Sequence, residues 1–430
     1  MKKFLVFVLL LFCLVACQRD VQPPLPSEEE EEVSLPPARI TDTIRNQEEK
    51  LTVFNMEYPS RDPYGKPVTL SGAIVVGDEV TKERPAKGLF LFNRFTIYKA
   101  DECPSRGRLM VEKLMVGSGL IIISADLYGF GVTEDKPQAY CMANANGQAS
   151  VDALMAARTL LADMGYSWDD IIFNAGYSQG GQTAIGALKV ATEQYHGLRF
   201  TRTFAGGGLY DLAETYRQLV LAGQTDLPSA VIGVLVAYNE ICKLGIPWDK
   251  LFKEPVLSHL EEWFFSKKYT VNQIEELIGT KKLSDLIKPE LLDIDSDLSK
   301  HFLAVMEEEN LCRGWDPWPD EKITLVHNTA DNVVSVTNAT NLVSFFEAGG
   351  VTVDSHIKNF RELPFVLPPH HWSALPFFID TLSQICSTLG ISLWIDYAQV
   401  IQVFWNLRPR TLSDGPAEWT ECFNLLNFEL

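Results

Sequence analysis

A serine stands in a short glycine-rich segment near the middle of the chain. Residues 176–180 read Gly-Tyr-Ser-Gln-Gly, so a glycine lies two residues before and two residues after Ser178. The preceding residues, 171–175, are mostly apolar and predict a buried strand, whereas residues 182–190 predict a helix. A serine at a sharp turn from a strand into a helix presents its hydroxyl to a substrate, and the helix N-terminal amides can stabilise a negatively charged oxygen. This context predicts that Ser178 is a nucleophile.

A serine hydroxyl is a weak nucleophile unless a base accepts its proton and a carboxylate orients that base. Asp331 follows an apolar strand predicted at 323–327, which is a position suited to the orienting carboxylate. His371 lies further along the chain, and the order Ser, Asp, His is typical of one arrangement of the catalytic triad. The adjacent His370 is the alternative base. His327, at a strand end, is expected to have a structural role.

Short apolar runs alternate with longer segments of helical pattern through most of the chain. Such runs are typical of strands buried on both faces of a parallel sheet, and helices usually connect strands of this kind. We therefore predict an α/β fold with a mostly parallel, twisted sheet flanked by helices, preceded by an antiparallel hairpin at 51–58 and 67–76. The predicted parallel strands are 88–92, 120–124, 171–175, 201–204 and 323–327, and the predicted helices between them include 106–116 and 147–161.

One long interval interrupts the alternation, between the sixth predicted strand at 201–204 and the acid-bearing strand at 323–327. It is too long for a simple connection, and its pattern is helical rather than loop-like. We interpret it as an inserted helical cap. The predicted organisation is a core at 46–206 and 321–390, a cap or lid at 207–320, and a C-terminal extension at 391–430 that packs on the core.

Two further segments carry a resemblance to a known family. Residues 124–131 read Ser-Ala-Asp-Leu-Tyr-Gly-Phe-Gly, which resembles a Pro-Asp-Tyr-x-Gly-x-Gly segment, and His371 lies in a His-x-x-Ala-x-Pro context. Together with the nucleophile segment, they make the chain similar to the α/β-hydrolases, and more narrowly to their secreted lipase and esterase group. The resemblance covers residues 50–390. It implies a triad of Ser178, His371 and Asp331, an acyl-enzyme and no cofactor.

The oxyanion hole is where the chain departs from this family. Relatives often carry His-Gly after the third strand of the fold, whereas residues 92–96 here read Phe-Asn-Arg-Phe-Thr. The resemblance implies that backbone amides hold the oxyanion. We expect these to be the amide of Gln179 and an amide near Phe95 or Thr96, with Thr96 preferred.

Several other kinds of site and partner have little support in the sequence. The chain has no His-Glu-x-x-His and no Gly-x-Gly-x-x-Gly, so we expect no metal site and no nucleotide cofactor. Its 37 Lys and Arg face 56 Asp and Glu, for a net charge of -19. A chain this acidic is a poor match for nucleic acid, because binding to phosphates needs a basic surface.

The N-terminus resembles that of a bacterial lipoprotein. Two lysines precede twelve nearly uninterrupted apolar residues at 4–15, and residues 14–17 read Leu-Val-Ala-Cys. This resemblance implies a signal peptide at 1–16, lipid attachment to Cys17, and a membrane anchor in the bacterial cell envelope. Gln18 favours the outer membrane, with the protein facing the periplasm or the cell surface, and residues 17–45 are predicted to form an acidic, proline-rich tether. A signal peptide without lipidation is the alternative.

The cysteines beyond Cys17 allow two interpretations. An even number outside the cytoplasm permits disulfides, whereas a chain of this size can also bury free thiols. The pairing cannot be derived from the sequence. The six cysteines are Cys103, Cys141, Cys242, Cys312, Cys386 and Cys422.

The leading hypothesis is therefore a serine hydrolase of carboxylic esters, monomeric and anchored to a membrane by its lipid. A serine peptidase on the same fold is one alternative. A non-catalytic surface lipoprotein that binds glycan or lipid is the other. The substrate is expected to be a small-molecule, lipid or glycan ester, but the sequence specifies neither its acyl length nor its alcohol.

Overall fold

A nine-stranded sheet is the centre of the part of the chain that the computed structural model describes, residues 35–107, 109, 112–360 and 371–393. Counted from one edge of the sheet, the first three pairs of neighbouring strands are antiparallel and the other five are parallel. The strands are β1 (Arg39–Asn46), β2 (Leu51–Arg61), β3 (Pro67–Gly77), β4 (Gly88–Asn93), β5 (Leu120–Ala125), β6 (Ile172–Tyr177), β7 (Arg202–Gly206), β8 (Ile323–Asn328) and β9 (Val353–Lys358), in the order β1-β2-β3-β5-β4-β6-β7-β8-β9.

The predicted hairpin and the five predicted parallel strands are confirmed as β2 to β8. Every residue of β4, β5, β6 and β8 is buried, because apolar side chains cover both faces of these strands. Alternate side chains enter separate hydrophobic clusters: Leu89 and Leu91 belong to one, Phe90 and Phe92 to the other. The sheet therefore has a core on each face.

β1 was not predicted, and the tether predicted at 17–45 includes all of its residues except Asn46. Residues 39–46 pair with β2 at the edge of the sheet and are mostly exposed, so they carry no apolar pattern. Arg39 pairs with Glu57 at 2.7 Å, and Arg45 forms an ion pair with Asp78. The folded part of the chain therefore begins earlier than predicted. Residues 1–34, with the predicted signal peptide, Cys17 and most of the tether, lie outside the described residues.

Helices cover both faces of the sheet. The first two pack so closely that a Cβ atom on Gly147 would lie 2.4 Å from the backbone of Gly186. The last helix contributes Leu375, Phe378 and Leu382 to the opposite core. The helices are α1 (Ala143–Asp163), α2 (Gln179–Gln194), α3 (Leu212–Ala222), α4 (Pro228–Ile241), α5 (Trp248–Leu251), α6 (Val256–Leu260), α7 (Val271–Ile278), α8 (Asp297–Glu307), α9 (Thr337–Ala348) and α10 (Leu375–Thr388).

The helix predicted at 106–116 was wrong. The described residues of this segment form short 3-10 turns at Pro104–Arg106 and Glu112–Met115, and Gly107 lies in the left-handed region at φ 82°. Residues 108, 110 and 111 lie outside the described residues. Among the helices described, none is both long and apolar enough to cross a membrane.

The interval between β7 and β8 is helical, as predicted, and contains α3 to α8. Lys267, between α6 and α7, joins this insertion to the core. Its buried ammonium donates hydrogen bonds to the carbonyls of Gly129, Glu134 and Lys136, the last two at 2.6 Å. Its own carbonyl accepts from the amide of Ala100 at 2.9 Å. The side chain and the backbone of one residue thus attach the insertion to two core loops.

The C-terminal extension predicted at 391–430 is described only at its start. Ile391 and Leu393 are buried in the same cluster as α10. Trp394, Phe404, Trp419 and Cys422 lie outside the described residues.

Candidate active site

Ser178 occupies a strained turn between β6 and α2. Its backbone has φ 59° and ψ -125°, a conformation that side-chain-bearing residues rarely adopt. A Cβ atom on Gly176 would lie 2.1 Å from the carbonyl oxygen of Gly180, and one on Gly180 would lie 2.1 Å from that of Asn93. Both glycines are therefore required sterically, and the turn holds the serine at the carboxyl end of the parallel strands.

The structure brings together the three side chains predicted to form the triad. Nε2 of His371 lies 2.8 Å from Oγ of Ser178, and Nδ1 of His371 lies 2.7 Å from Oδ2 of Asp331. In neutral imidazole, Nδ1–H donates to the carboxylate and Nε2 accepts the serine proton. The arrangement can therefore pass a proton from the serine hydroxyl to the imidazole. His370, the alternative base, lies outside the described residues.

Asp331 is held in the loop after β8. Its Oδ1 accepts hydrogen bonds from the amides of Val333 and Val334, each at 2.9 Å, which leaves Oδ2 for His371. Burial alone raises the pKa of this carboxyl, but the adjacent imidazole and the hydrogen bonds outweigh burial and bring the pKa below its ordinary value. Asp331 is thus an ionised partner for an imidazolium.

The histidine is fixed by the strand that carries the serine. The hydroxyl of Tyr177 donates to the carbonyl oxygen of His371 at 2.6 Å. The ring of Trp372 stacks on Tyr177 at 5.7 Å between centroids, and Phe95 meets Trp372 edge to face at 5.6 Å. These contacts set the backbone position from which the imidazole reaches Ser178.

His327 has the structural role that was expected, and it lies beside Asp331, which the sequence did not indicate. It is fully buried, and its Nε2 donates to the carbonyl oxygen of Val334 at 3.0 Å while lying 3.7 Å from Oδ2 of Asp331. Burial lowers the pKa of His327, so the ring is neutral. Its hydrogen bond to Val334 therefore supports the loop that carries Asp331.

Of the two residues predicted for the oxyanion hole, one adjoins the serine in sequence and the other lies in a loop that contacts the nucleophile turn. Gln179 begins α2 directly after Ser178. Thr96 is buried in the loop after β4, and this loop touches the nucleophile turn, since a Cβ on Gly180 would also lie 2.8 Å from the carbonyl oxygen of Arg94. Their role in binding an oxyanion stays a prediction.

Sequence reasoning missed the side chains that hold this loop. Buried Arg94 forms an ion pair with buried Glu112 at 3.3 Å and donates to the carbonyl of Glu102. The hydroxyls of Thr96 and Tyr140 lie 3.0 Å apart. No local pattern marks such pairs, because the partners lie far apart along the chain.

A narrow apolar cavity of about 30 Å³ adjoins Ser178. The insertion supplies most of its wall through α3 and α4, and the acid loop closes one side. Its lining includes Leu212, Tyr216, Leu219, Val231, Val234 and Val333. The site therefore offers an apolar group a place beside the nucleophile.

The described residues also bear on the cysteines and on metal binding. The cysteines among them are free thiols, and burial raises the pKa of Cys103 to about 12. Within the same residues no three His, Cys, Asp or Glu side chains form a group suited to a metal ion. The free cysteines are Cys103, Cys141, Cys242, Cys312 and Cys386.

Similarity to known proteins is found in structure rather than in sequence. No family model matches the chain, and no curated protein sequence matches it. A presumed hydrolase from Legionella pneumophila has a TM-score of 0.67 and 17% identity, over 85% of this chain and 91% of that chain. The rice cell wall degrading esterase LipA from Xanthomonas oryzae has a TM-score of 0.63 and 18% identity, over 83% and 92%. Candida antarctica lipase A in its closed state has a TM-score of 0.61 and 15% identity, over 83% and 82%.

At these identities the likeness establishes the architecture and not the activity. The shared features are the mostly parallel central sheet and the helices that flank it. The predicted fold class is confirmed: the chain has the α/β-hydrolase fold.

Proposed function

We propose that the protein is a serine hydrolase that cleaves carboxylic esters. The observation that carries the proposal is the hydrogen-bonded series Ser178, His371 and Asp331, with distances of 2.8 and 2.7 Å, beside an apolar cavity. The fold that the chain shares with esterases and lipases supports the same reaction class.

In the proposed reaction, Oγ of Ser178 attacks the ester carbonyl carbon while Nε2 of His371 accepts the hydroxyl proton. The carbonyl oxygen becomes an oxyanion, which the amides of Gln179 and Thr96 stabilise. The tetrahedral intermediate then breaks its bond to the alcohol oxygen, which takes the proton from His371. Water hydrolyses the acyl-enzyme by the same steps and restores the serine.

Asp331 stabilises the imidazolium that forms in both half-reactions. Because its other oxygen is held by two backbone amides, the carboxylate keeps the ring in the tautomer that presents Nε2 to the serine. We place the acyl part of the substrate in the apolar cavity, so the expected substrates are esters with an apolar acyl group.

The proposal extends to location and partners. We propose that Cys17 is lipidated and anchors a monomer in the bacterial cell envelope, on the grounds of the N-terminal sequence alone.

The test is to purify the protein and its Ser178→Ala variant and to assay p-nitrophenyl esters of increasing acyl length. Ser258→Ala, which alters an exposed serine of the insertion, is the matched control. We expect Ser178→Ala to abolish turnover and labelling by a fluorophosphonate, and Ser258→Ala to retain both. Equal turnover in the wild type and Ser178→Ala would contradict the proposal. Activity on a peptide panel but not on esters would indicate a peptidase, and absence of labelling a non-catalytic binding protein.

A further inference from the structure

Asn328 is the last residue of β8, three residues before the acid Asp331, and its side chain is fully buried. Its amide oxygen Oδ1 accepts hydrogen bonds from the backbone amides of Ala330 at 3.1 Å and Phe360 at 3.3 Å. Its backbone carbonyl accepts from the amide of Asp331 at 3.1 Å. The side chain and the backbone of one residue thus hold the start of the loop that carries the acid.

The other end of the same side chain reaches residues 371–373, the base loop. Nδ2 of Asn328 donates to Oγ of Ser373 at 2.7 Å, and Ser373 follows His371 by two residues. Because Oδ1 faces two N–H donors, the amide group must be oriented with its nitrogen toward Ser373. Ser373 is only 6% exposed, so this hydrogen bond is shielded from solvent.

The backbone around His371 is therefore held at two points. On the side of the nucleophile, the hydroxyl of Tyr177 donates to the carbonyl oxygen of His371 at 2.6 Å. On the side of the acid, Asn328 holds Ser373. Because Tyr177 ends β6 and Asn328 ends β8, each contact ties the base to the strand that precedes one of its two partners.

Proton transfer requires the imidazole of His371 to keep two hydrogen bonds at once. Nε2 lies 2.8 Å from Oγ of Ser178, and Nδ1 lies 2.7 Å from Oδ2 of Asp331. A shift of the base loop away from β8 would lengthen the second distance, and the carboxylate would then stabilise the imidazolium less. A displacement of about 1 Å can slow a reaction between positioned groups by roughly 100-fold. The contact between the two loops is therefore placed to affect the rate.

We propose that Asn328 is a positioning residue of the triad, which sets the distance between Asp331 and His371 by joining the acid loop to the base loop through Ser373. This inference rests on the proposed ester hydrolysis. In this role Asn328 acts through the backbone of the two loops rather than on the substrate.

The experiment compares the wild type with Ser373→Ala, Asn328→Ala and the Asn328→Ala/Ser373→Ala double variant on a p-nitrophenyl ester. Ser373→Ala removes the hydroxyl that accepts from Asn328, whereas Asn328→Ala also releases the acid loop. We expect kcat to fall roughly three- to tenfold in Ser373→Ala and about 10- to 100-fold in Asn328→Ala, with KM changed less than about twofold. Ser387→Ala, at an exposed position of α10, is the matched control and should keep the wild-type kcat.

A second readout reports directly on the hydrogen bond between His371 and Asp331. The proton of a short imidazole–carboxylate hydrogen bond resonates at unusually low field in the NMR spectrum, and Asp331→Asn identifies the signal by its loss. We expect this resonance to move to higher field or to disappear in Ser373→Ala and Asn328→Ala. The double variant should lose no more kcat than Asn328→Ala alone, because both changes break the same contact.

The inference is overturned if Ser373→Ala loses no more kcat than Ser387→Ala, or if the losses of the two single variants multiply in the double variant. It is also overturned if kcat falls while the low-field resonance stays at its wild-type position, because the defect then lies elsewhere. If Asn328→Ala does not fold, Ser373→Ala decides alone through kcat and the resonance.

The proposed function and this inference fail in different ways. A wild type that cleaves no ester contradicts the proposed function, and the low-field resonance of Ser373→Ala then still tests the contact between the loops. An active wild type with an inactive Ser178→Ala and a fully active Ser373→Ala overturns this inference alone.

Discussion

The two oxygens of Asp331 have separate tasks. Oδ1 is saturated by the amides of Val333 and Val334, and Oδ2 faces His371 at 2.7 Å. His327 adds a buried, neutral ring 3.7 Å from Oδ2. The carboxylate therefore cannot rotate without losing two backbone hydrogen bonds. The backbone of the loop thus fixes the orientation of the Asp331 side chain.

Replacement of this carboxylate by an amide tests its proposed role. In Asp331→Asn we expect kcat for a p-nitrophenyl ester to fall by roughly 10³- to 10⁴-fold, because an amide NH₂ opposite Nδ1 favours the wrong tautomer of His371. KM should change little, since the apolar cavity is untouched. Asp295→Asn, at an exposed position, is the control. A loss of less than about tenfold would show that another group orients the histidine.

The sequence allowed the nucleophile to be predicted for a local reason. A strained turn such as the one at Ser178 demands glycines at fixed positions, and these are visible in one sequence. Asp331 was predicted instead from its place after a predicted strand, and His371 was preferred to His370 through the resemblance of its His-x-x-Ala-x-Pro context. The contact between Thr96 and Tyr140 could not be predicted from the sequence either, because only the fold brings these two residues together.

At the scale of elements, burial decides what a sequence pattern can indicate. β4, β5, β6 and β8 were predicted because each is covered on both faces and hence continuously apolar. β1 escaped prediction because it is an exposed edge strand, stabilised by backbone pairing with β2 and by ion pairs rather than by an apolar face. Edge strands leave little trace in hydropathy.

Lys267 is the element-scale contact that we expect to matter most for stability. In Lys267→Met the aliphatic stem remains, but the carbonyls of Gly129, Glu134 and Lys136 lose a charged donor. We expect the free energy of unfolding at pH 7 to fall by about 2–4 kcal/mol, measured by urea denaturation. Lys268→Met, which changes the exposed neighbour, is the matched control. Equal effects in the two variants would mean that the attachment contributes nothing.

The same lysine should give stability a dependence on pH. Burial lowers the pKa of Lys267 to about 8, although the carboxylates of Glu134 and Asp135 partly oppose this, whereas an unfolded lysine has a pKa of about 10.4. Between these values the unfolded chain binds more protons than the folded chain, so this group increases the free energy of unfolding as pH rises.

We therefore expect the difference in unfolding free energy between the wild type and Lys267→Met to grow by roughly 1–3 kcal/mol from pH 8 to pH 10. The measurement is urea denaturation at a series of pH values. A difference that stays flat over this range would show that Lys267 keeps its ordinary pKa in the folded protein, and a difference that shrinks would show that its pKa is raised.

At the scale of the whole molecule, the proposed location of the protein depends on its N-terminal segment. Residues 1–34 lie outside the described structure, so the proposal of a lipid anchor depends on the sequence around Cys17. In Cys17→Ser, expressed in a bacterial host, we expect incorporation of an alkyne fatty acid to be lost and the protein to leave the membrane fraction. Cys13→Ser, which alters only the apolar part of the signal segment, should keep both. Labelling of Cys17→Ser at the wild-type level would exclude this anchor.

The fold class could be predicted because it follows from the alternation of buried strands and helices through much of the described part of the chain. The substrate could not, because the wall of the cavity combines α3 and α4 with the acid loop, which lies far from these two helices in the sequence. In the sequence, Leu219 and Val333 cannot be distinguished from other apolar residues, and only the fold brings them to the same cavity as Ser178.

The cavity beside Ser178 is bounded mainly by two neighbouring helices, α3 and α4, whose apolar side chains face it. Under the proposed ester hydrolysis, a long acyl chain would contact both helices more extensively than an acetyl group. We therefore expect a crosslink between α3 and α4 to slow the cleavage of long p-nitrophenyl esters more than that of p-nitrophenyl acetate.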